Sequence, residues 1–308
     1  MALSTTLEAF AEDVGGIDAG ALCVRGGATK WEVGGAVRAG TREVRAPSGI
    51  VAYEPAEMTV RVGAGTSIAE LHDELARHRQ TTALDGAPGA TVGGALAVGH
   101  NSVRRLRHGP LRDVLLEARY VSAEGRLIKA GGPTVKNVTG FDLCRLLVGS
   151  LGTLGLFGDV ILRTRPEAET SAWFAGAADP RAVLAQLYKP AAVQWDGATT
   201  WVLLEGYRVD VDAEAQRCAG LGLRECHGPP TRPPHRWITT PADTAAFPAR
   251  HPDAGPFVAE LGVGVVHASR PQPARPPQPG TLALQQRLRD EFDVTRRLNP
   301  GRDPLARG

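Results

Sequence analysis

"PGATVGGALAVGHN", residues 88–101, holds four glycines and three alanines in fourteen positions and carries no Asp, Glu, Lys or Arg. Glycine loses more backbone freedom on folding than any other residue, so a cluster of it marks a place where something approaches the main chain closely. Three more glycine-rich stretches flank this one: "RGGATKWEVGG" (25–35), "VGAGTS" (62–67) and "GSLGTLG" (149–155). Short glycine turns that join strands to helices or loops present backbone N–H groups as nests for anions, above all phosphates. One such loop suffices for a mononucleotide. Several from separate parts of the chain point to a longer ligand with a pyrophosphate.

None of the four is a familiar nucleotide fingerprint. "GAGTSIAE" fails G-x-G-x-x-G because Ile68 stands where the last glycine belongs, and G-x-x-x-x-G-K-[ST] does not occur. A tight turn explains any one loop taken alone. The order and spacing of all four carry the argument.

The bulk numbers bound the rest. A chain of 308 residues implies about two domains. With 43% hydrophobic and 22% charged residues it buries a core and is not globally disordered. A net charge of +2, without a basic stripe interleaved with aromatics, argues against nucleic acid. Cys23, Cys144, Cys218 and Cys226 show no C-x-x-C spacing, and Cys218, Cys226 and His227 have the wrong spacing for a zinc site, so no metal is expected. The opening "MALSTTLEAFAEDVGG" lacks the basic and apolar regions of a signal peptide, and no apolar run is long enough to span a bilayer. The expectation is a cytoplasmic protein with free thiols.

Along the chain, "MTVRVGA" (58–64) alternates as a strand, and "TSIAELHDELARHR" (66–79) follows as a helix with a Ser67–Glu70 capping box. Residues 115–131 read as a hairpin turning at Glu124-Gly125, 141–149 as a short helix and 156–165 as a strand. A boundary falls near "RTRPEAE" (163–169). From Ser171 to Cys226 the order is β-α-β-β-α-β, the split βαβ unit, with Asp179 capping a helix that starts at Pro180. Residues 257–269 read as one buried strand and 282–293 as a final helix. The proline-rich stretches 227–236 and 270–280 read as linkers.

Together, "RGGATKW", "GIVAYEPAEMTVRVGAGTSIAELHDEL", "TVGGALAVG", "RRLRHGPLRDVLLEARYVSAEGRLIKAGG", "VKNVTGFDLCRLLVGSLGTLG" and the terminal "LNPGR" resemble the FAD-binding family of vanillyl-alcohol oxidase and the PCMH-type flavoproteins. Within it the chain is similar to the smaller flavin subunit of bacterial glycolate oxidase. The resemblance covers residues 20–165 almost without a gap and returns at the end. It implies an α+β fold: a two-subdomain PCMH-type FAD-binding domain (1–166), a reduced ferredoxin-like, split βαβ cap (167–256) over the isoalloxazine face, and a C-terminal segment (257–308) that returns to the FAD domain.

The same resemblance implies the cofactor contacts. Arg25, Gly26, Gly27, Ala28 and Thr29 would cradle the pyrophosphate through backbone N–H groups. Pro88, Gly89, Thr91, Val92, Gly93, Gly94, Ala97 and Asn101 would run along the pyrophosphate, ribityl chain and flavin ring. Gly149, Gly152, Thr153, Gly155 and Leu156 would line the adenine end. Lys136 and Asn137 would make polar contacts to flavin or substrate, or else cap the helix before Phe141. "RGGATKW" has neither His nor Cys, so the FAD is expected to be non-covalent. Ala28 stands where glycine is more usual, which matters if the position needs a positive φ. Leu151 stands where catalytic hydroxy-acid dehydrogenases of the family carry Glu, and their histidine-rich metal motif is missing.

Oxidation of a hydroxy acid needs a cation for the carboxylate and a base for the hydroxyl proton. Arg104, with Arg105 and Arg107, offers the cation and His108 the base. The alternatives for this cluster are a solvated loop or a contact to phosphate or a partner. His267, ending an apolar strand, is a third catalytic candidate whose plainer reading is structural. The expectation is an FAD-dependent oxidoreductase subunit of a glycolate-oxidase-like 2-hydroxy-acid dehydrogenase complex. It would act on a small 2-hydroxy acid such as glycolate, passing electrons through its FAD, beside a second flavin subunit and an iron–sulfur subunit, with any membrane contact made through partners. A stand-alone dehydrogenase or oxidase and a non-catalytic assembly subunit are the alternatives.

Overall fold

The computed structural model describes residues 2–133, 142–273 and 278–306. Its chain divides into two compact units, one holding 1–102, 110–166 and 276–307, the other 103–109 and 167–275.

The first unit is built on a five-stranded sheet: β1 (Ile50–Glu54), β2 (Thr59–Gly63), β3 (Leu115–Val121), β4 (Leu127–Gly131) and β5 (Leu156–Arg163), in the order β1-β2-β5-β3-β4. Every pairing is antiparallel. Alternation along β2 sends Val60 and Val62 into the core, where they join Leu71, Leu75, Val160 and Leu162. Arg61 alternates away from them and bonds Asp159 at 2.9 Å and Glu117 at 2.7 Å, both carboxylates almost fully buried. The hairpin β3–β4 turns where expected, with Gly125 at φ +78°.

Among the described residues, four helices of this unit come before the second sheet: α1 (Ala2–Val14), α2 (Ile68–Ala76), α3 (Val92–Val98) and α4 (Leu143–Leu147). Ser67 caps α2 by accepting the Glu70 N–H at 3.1 Å, and Ile68, Leu71 and Leu75 form its buried face. Strand Leu22–Val24 pairs in parallel with Arg42–Val44 and is bridged on its other side by Leu298. The chain end therefore holds the strand from which the first glycine loop springs.

The second unit holds a seven-stranded sheet. Its strands are β6 (Thr170–Gly176), β7 (Ala192–Trp195), β8 (Thr200–Gly206), β9 (Arg224–Cys226), β10 (His235–Ile238), β11 (Phe257–Glu260) and β12 (Val265–Ala268). They lie in the order β9-β6-β8-β7-β11-β12-β10, all antiparallel. Helices α5 (Pro180–Gln186) and α6 (Arg208–Gly220) place Val183, Val211 and Cys218 in one core with Phe174, Val193, Val202, Ala259 and Val266. Asp179 caps α5 and Pro180 opens it, as read from the sequence.

Two readings change here. Residues 257–269 form the hairpin β11–β12 rather than one strand, because Gly262 and Gly264 take φ of +73° and +80° and turn the chain. Both strands extend the second sheet, while helix α7 (Pro279–Phe292) belongs to the first unit. The stretch 227–236, read as linker, ends inside strand β10, whose Trp237 packs edge-on against Phe247. No helix among the described residues is long and apolar enough to cross a membrane.

Candidate functional site

The loop after strand Leu22–Val24 is short of partners. Arg25 N–H donates to Val44 O and Trp31 N–H to Ala28 O. Among the described residues, no N–H from Gly26 to Thr29 donates to a protein acceptor. Ala28 takes φ +55°, the left-handed conformation that turns successive N–H groups to one side. The positive φ that would make alanine a departure is thus what the loop adopts.

The stretch 88–101 is not an extended run: residues 92–98 form helix α3. Thr91 caps it by accepting Gly94 N–H at 3.2 Å, and Gly99 ends it at φ +68°. Val92 N–H and Gly93 N–H donate to Thr66 O and Ala64 O, which ties the 62–67 turn beneath. Gly149 and Leu151 N–H donate to Leu96 and Ala97 O, which brings in the fourth stretch. Asn299 joins both ends: its N–H donates to Leu22 O at 2.8 Å and its amide to Gly152 O at 2.9 Å.

These four stretches enclose two cavities of about 100 and 270 Å³. Val24, Gly26, Thr91, Gly94, Ala97, Leu151 and Asn299 line both, so the two are lobes of one groove. The smaller lobe adds Gly27, Ala28 and Thr29, and the larger adds Arg25, Gly93, Gly152, Gly155 and Leu156. Of the other expected contacts, Pro88, Gly89, Val92, Asn101, Gly149 and Thr153 do not line it. Val92 and Thr153 are buried in the fold, and Asn101 accepts Leu111 N–H at 2.8 Å. Lys136 and Asn137 lie outside the described residues.

The glycines answer to two different demands. A Cβ on Gly27 would sit 1.7 Å from Gly89 O, and one on Gly93 would sit 2.8 Å from Ala64 Cβ. These positions are glycine because protein packs against them. A Cβ on Gly94 would meet only Thr91 Oγ1, at 3.0 Å, and this residue is exposed on the groove wall. Here the open side is the groove itself.

Several lining residues were missed. Lys30 Nζ lies 2.7 Å from His100 Nδ1, and both side chains line the smaller lobe with Trp31 and Asp85. Arg302 lines it too, donates to the carbonyls of Val33 and Gly35, and stacks 4.6 Å from the Trp31 ring centre. Burial pushes the Arg302 guanidinium below its ordinary pKa, Glu32 opposing. The signal for Asn299 and Arg302 was available in "LNPGR" (298–302).

The catalytic candidates lie in the second unit. Arg104 Nε donates to both carboxylate oxygens of Glu205 at 2.9 Å, and Arg107 donates to Glu205 O and Lys189 O. His108 ends the short helix Arg105–His108. His267 Nε2 lies 3.3 Å from Glu260 Oε1 on the seven-stranded sheet. Among the described residues no group of three or more His, Cys, Asp or Glu is placed to hold a metal.

Residues 19–131 match the family described as FAD binding domain. Glycolate oxidase subunit GlcE of Escherichia coli is 33% identical over 153 residues, 49% of this chain and 44% of its own. A D-lactate dehydrogenase of Archaeoglobus fulgidus is 41% identical over 106 residues, 34% of this chain and 24% of its own. Glycolate oxidase subunit GlcD of Bacillus subtilis is 40% identical over 81 residues, 26% and 17%. The chain thus spans less than half the length of these curated relatives. Solved alkyldihydroxyacetonephosphate synthase shares the fold at a TM-score of 0.66 and 12% identity, over 97% of this chain and 74% of that one.

The mixed helix and sheet fold matches that of PCMH-type FAD-binding neighbours, and the match of residues 19–131 to an FAD binding domain supports FAD as the cofactor. In sequence the chain is related to glycolate oxidase subunits and D-lactate dehydrogenases over these matched segments.

Proposed function

We propose that the groove of the first unit is the FAD site and that the chain is the flavin-binding subunit of a glycolate-oxidase-like 2-hydroxy-acid dehydrogenase. The carrying observation is the loop Gly26–Thr29, whose N–H groups have no protein acceptor and which lines a groove closed by α3 and Asn299. Such a nest suits a pyrophosphate, and the small side chains of Gly94 and Ala97 leave room beside it. The residues present therefore fit the cofactor. Bound FAD supplies a two-electron acceptor for a carbinol carbon. Thr91 holds the turn of α3 against the loop, and Asn299 fixes the loop's parent strand to the 149–155 turn. Loop Arg25–Trp31 has no His or Cys, so the FAD is read as dissociable, and acid precipitation should leave all of it in the supernatant.

The second unit is read as the reduced cap. In support, its first four strands in chain order, β6, β7, β8 and β9, pair in the order β9-β6-β8-β7 with two helices between, as in a ferredoxin-like split βαβ unit. The likeness to glycolate oxidase subunits GlcE and GlcD supports a multi-subunit complex with a hydroxy acid such as glycolate as substrate; the second flavin subunit and the iron–sulfur subunit are part of the proposal. The deciding test is an anaerobic absorption spectrum of the purified chain before and after adding glycolate or lactate. Flavin bands that persist support the electron-passing subunit. Bleaching makes the chain a dehydrogenase by itself. No flavin after reconstitution overturns the reading.

A further inference from the structure

The end of the second unit where β8 runs into α6 carries bare apolar surface. Val209, Tyr188 and Tyr207 are 74%, 68% and 65% exposed. Large apolar side chains scattered singly need no explanation, but gathered in one patch they mark a contact surface. Hydrogen bonds gather these. Arg107 donates to both Lys189 O and Glu205 O, which holds the Tyr188 loop beside the end of β8. Tyr188 N–H donates to Glu214 of α6 at 2.8 Å, and Arg208 N–H to Glu169 at 3.1 Å. Tyr207, Arg208, Val209, Asp212 and Ala213 line one open groove of about 730 Å³ along α6.

The charges on this face do not answer each other. Arg208 and Asp212 stand four residues apart on the exposed side of α6, a spacing at which a helix can close an ion pair. Among the described residues neither is in an ion pair, whereas Glu214 and Arg217 of the same helix do pair. Two-fold symmetry meets both charges at once, because residue i of one copy then touches residue j of the other, and j touches i. Antiparallel packing of α6 on its own copy sets each Arg208 against the other Asp212. The same register sets Tyr207 opposite Ala213, whose short side chain leaves the groove open to a ring. The surface is complementary to itself in charge and in shape.

We propose that this face of α6 is an isologous interface and that its occupant is a second copy of this chain. The proposal rests on the second unit alone and is independent of the flavin reading.

The test is sedimentation velocity of the flavin-loaded chain over a range of concentrations. A dimer should form at about 10 μM. Val209→Glu should weaken it by about a hundredfold or more. Arg208→Asp and Asp212→Arg should each weaken it by about tenfold, since each sets like charges opposite one another twice. An Asp at 208 lies in the first turn of α6, where negative charge suits the helix, so folding is not at risk. Mixed in equal amounts, the two charge variants should associate as tightly as the parent, because every Arg then meets an Asp. Damage to the fold could not be mended that way, and circular dichroism and flavin content check each variant alone. The chain without flavin should dimerise equally, so failure of the cofactor reading leaves the test intact. A chain that stays monomeric to about 100 μM overturns the proposal. So does a dimer indifferent to all three substitutions, or one that mixing does not restore. Association through Val209 with a different subunit only also overturns it, and gives the face to that subunit.

Discussion

The two units offer polar groups by opposite means. The first uses main chain: Gly26 to Thr29 bring N–H groups to a groove whose α3 wall, at Gly94 and Ala97, carries almost no side chain. The second uses side chains: Gln194, Glu260, His267 and Arg236 stand on four strands, two of them the hairpin β11–β12, on one face of the sheet. A main-chain site leaves a compositional trace, because only small residues allow the backbone to be approached. A side-chain cluster assembled by strand register leaves none.

That contrast can be broken from the first unit outward. Gly27→Ala places a Cβ 1.7 Å from a backbone oxygen. It should lower stability by about 3 kcal/mol and expel the flavin, read by urea unfolding and the flavin-to-protein ratio. Gly94→Val meets no such wall. It should change stability by only about 1 kcal/mol while abolishing flavin binding. Normal flavin content in Gly94→Val would mean that this wall does not face the cofactor.

Ala28→Gly relieves an alanine held at φ +55°. It should raise stability by about 1 kcal/mol without loss of FAD, read by thermal unfolding of the loaded chain. A fall in stability would show that the loop's conformation is set by the alanine rather than tolerated by it.

The smallest effect compares the two cores. Burial, with Asp142 adding, pushes the Cys144 thiol up to about 11, and burial with Glu214 does the same for Cys218. Both start from 9.0, so the folded state holds the proton longer than the unfolded one. Their contribution to stability is complete below pH 9.0 and disappears as pH rises through about 11. Near neutral pH a thiol reagent should modify the half-exposed Cys226 first, with Cys23, Cys144 and Cys218 following only on unfolding. Rapid labelling of Cys218 alone would show that the second core opens more readily than the first.

Local pattern carried much of the fold. The Ser67 cap, the Gly125 turn, the Asp179–Pro180 helix start and the alternation of β2 each depend on a few neighbouring residues, and each was legible. The hairpin β11–β12 was not, since its apolar run "FVAELGVGVVHAS" hides the turn at Gly262 and Gly264. Strand β10 was hidden by the prolines before it. Helix α3 was hidden by its own glycines, which weaken helix propensity and are overridden by the Thr91 cap and tertiary packing.

Gly26, Gly27, Thr91 and Gly94, which line the groove, were named through the family resemblance, since a glycine-rich loop by itself is equally a tight turn. Lys30, His100 and Arg302 were not singled out, because a lone Lys, His or Arg is ordinary anywhere on a surface. By itself the sequence determined where the glycines cluster and many, though not all, of the segments that form strands and helices. Only tertiary structure decided that Gly27 is glycine for Gly89 while Gly94 faces a groove, and that Gln194 and Arg236 share one face of a sheet. The physical reason is range: backbone conformation is set by neighbours along the chain, whereas the company a side chain keeps is set by which strands come to lie beside its own.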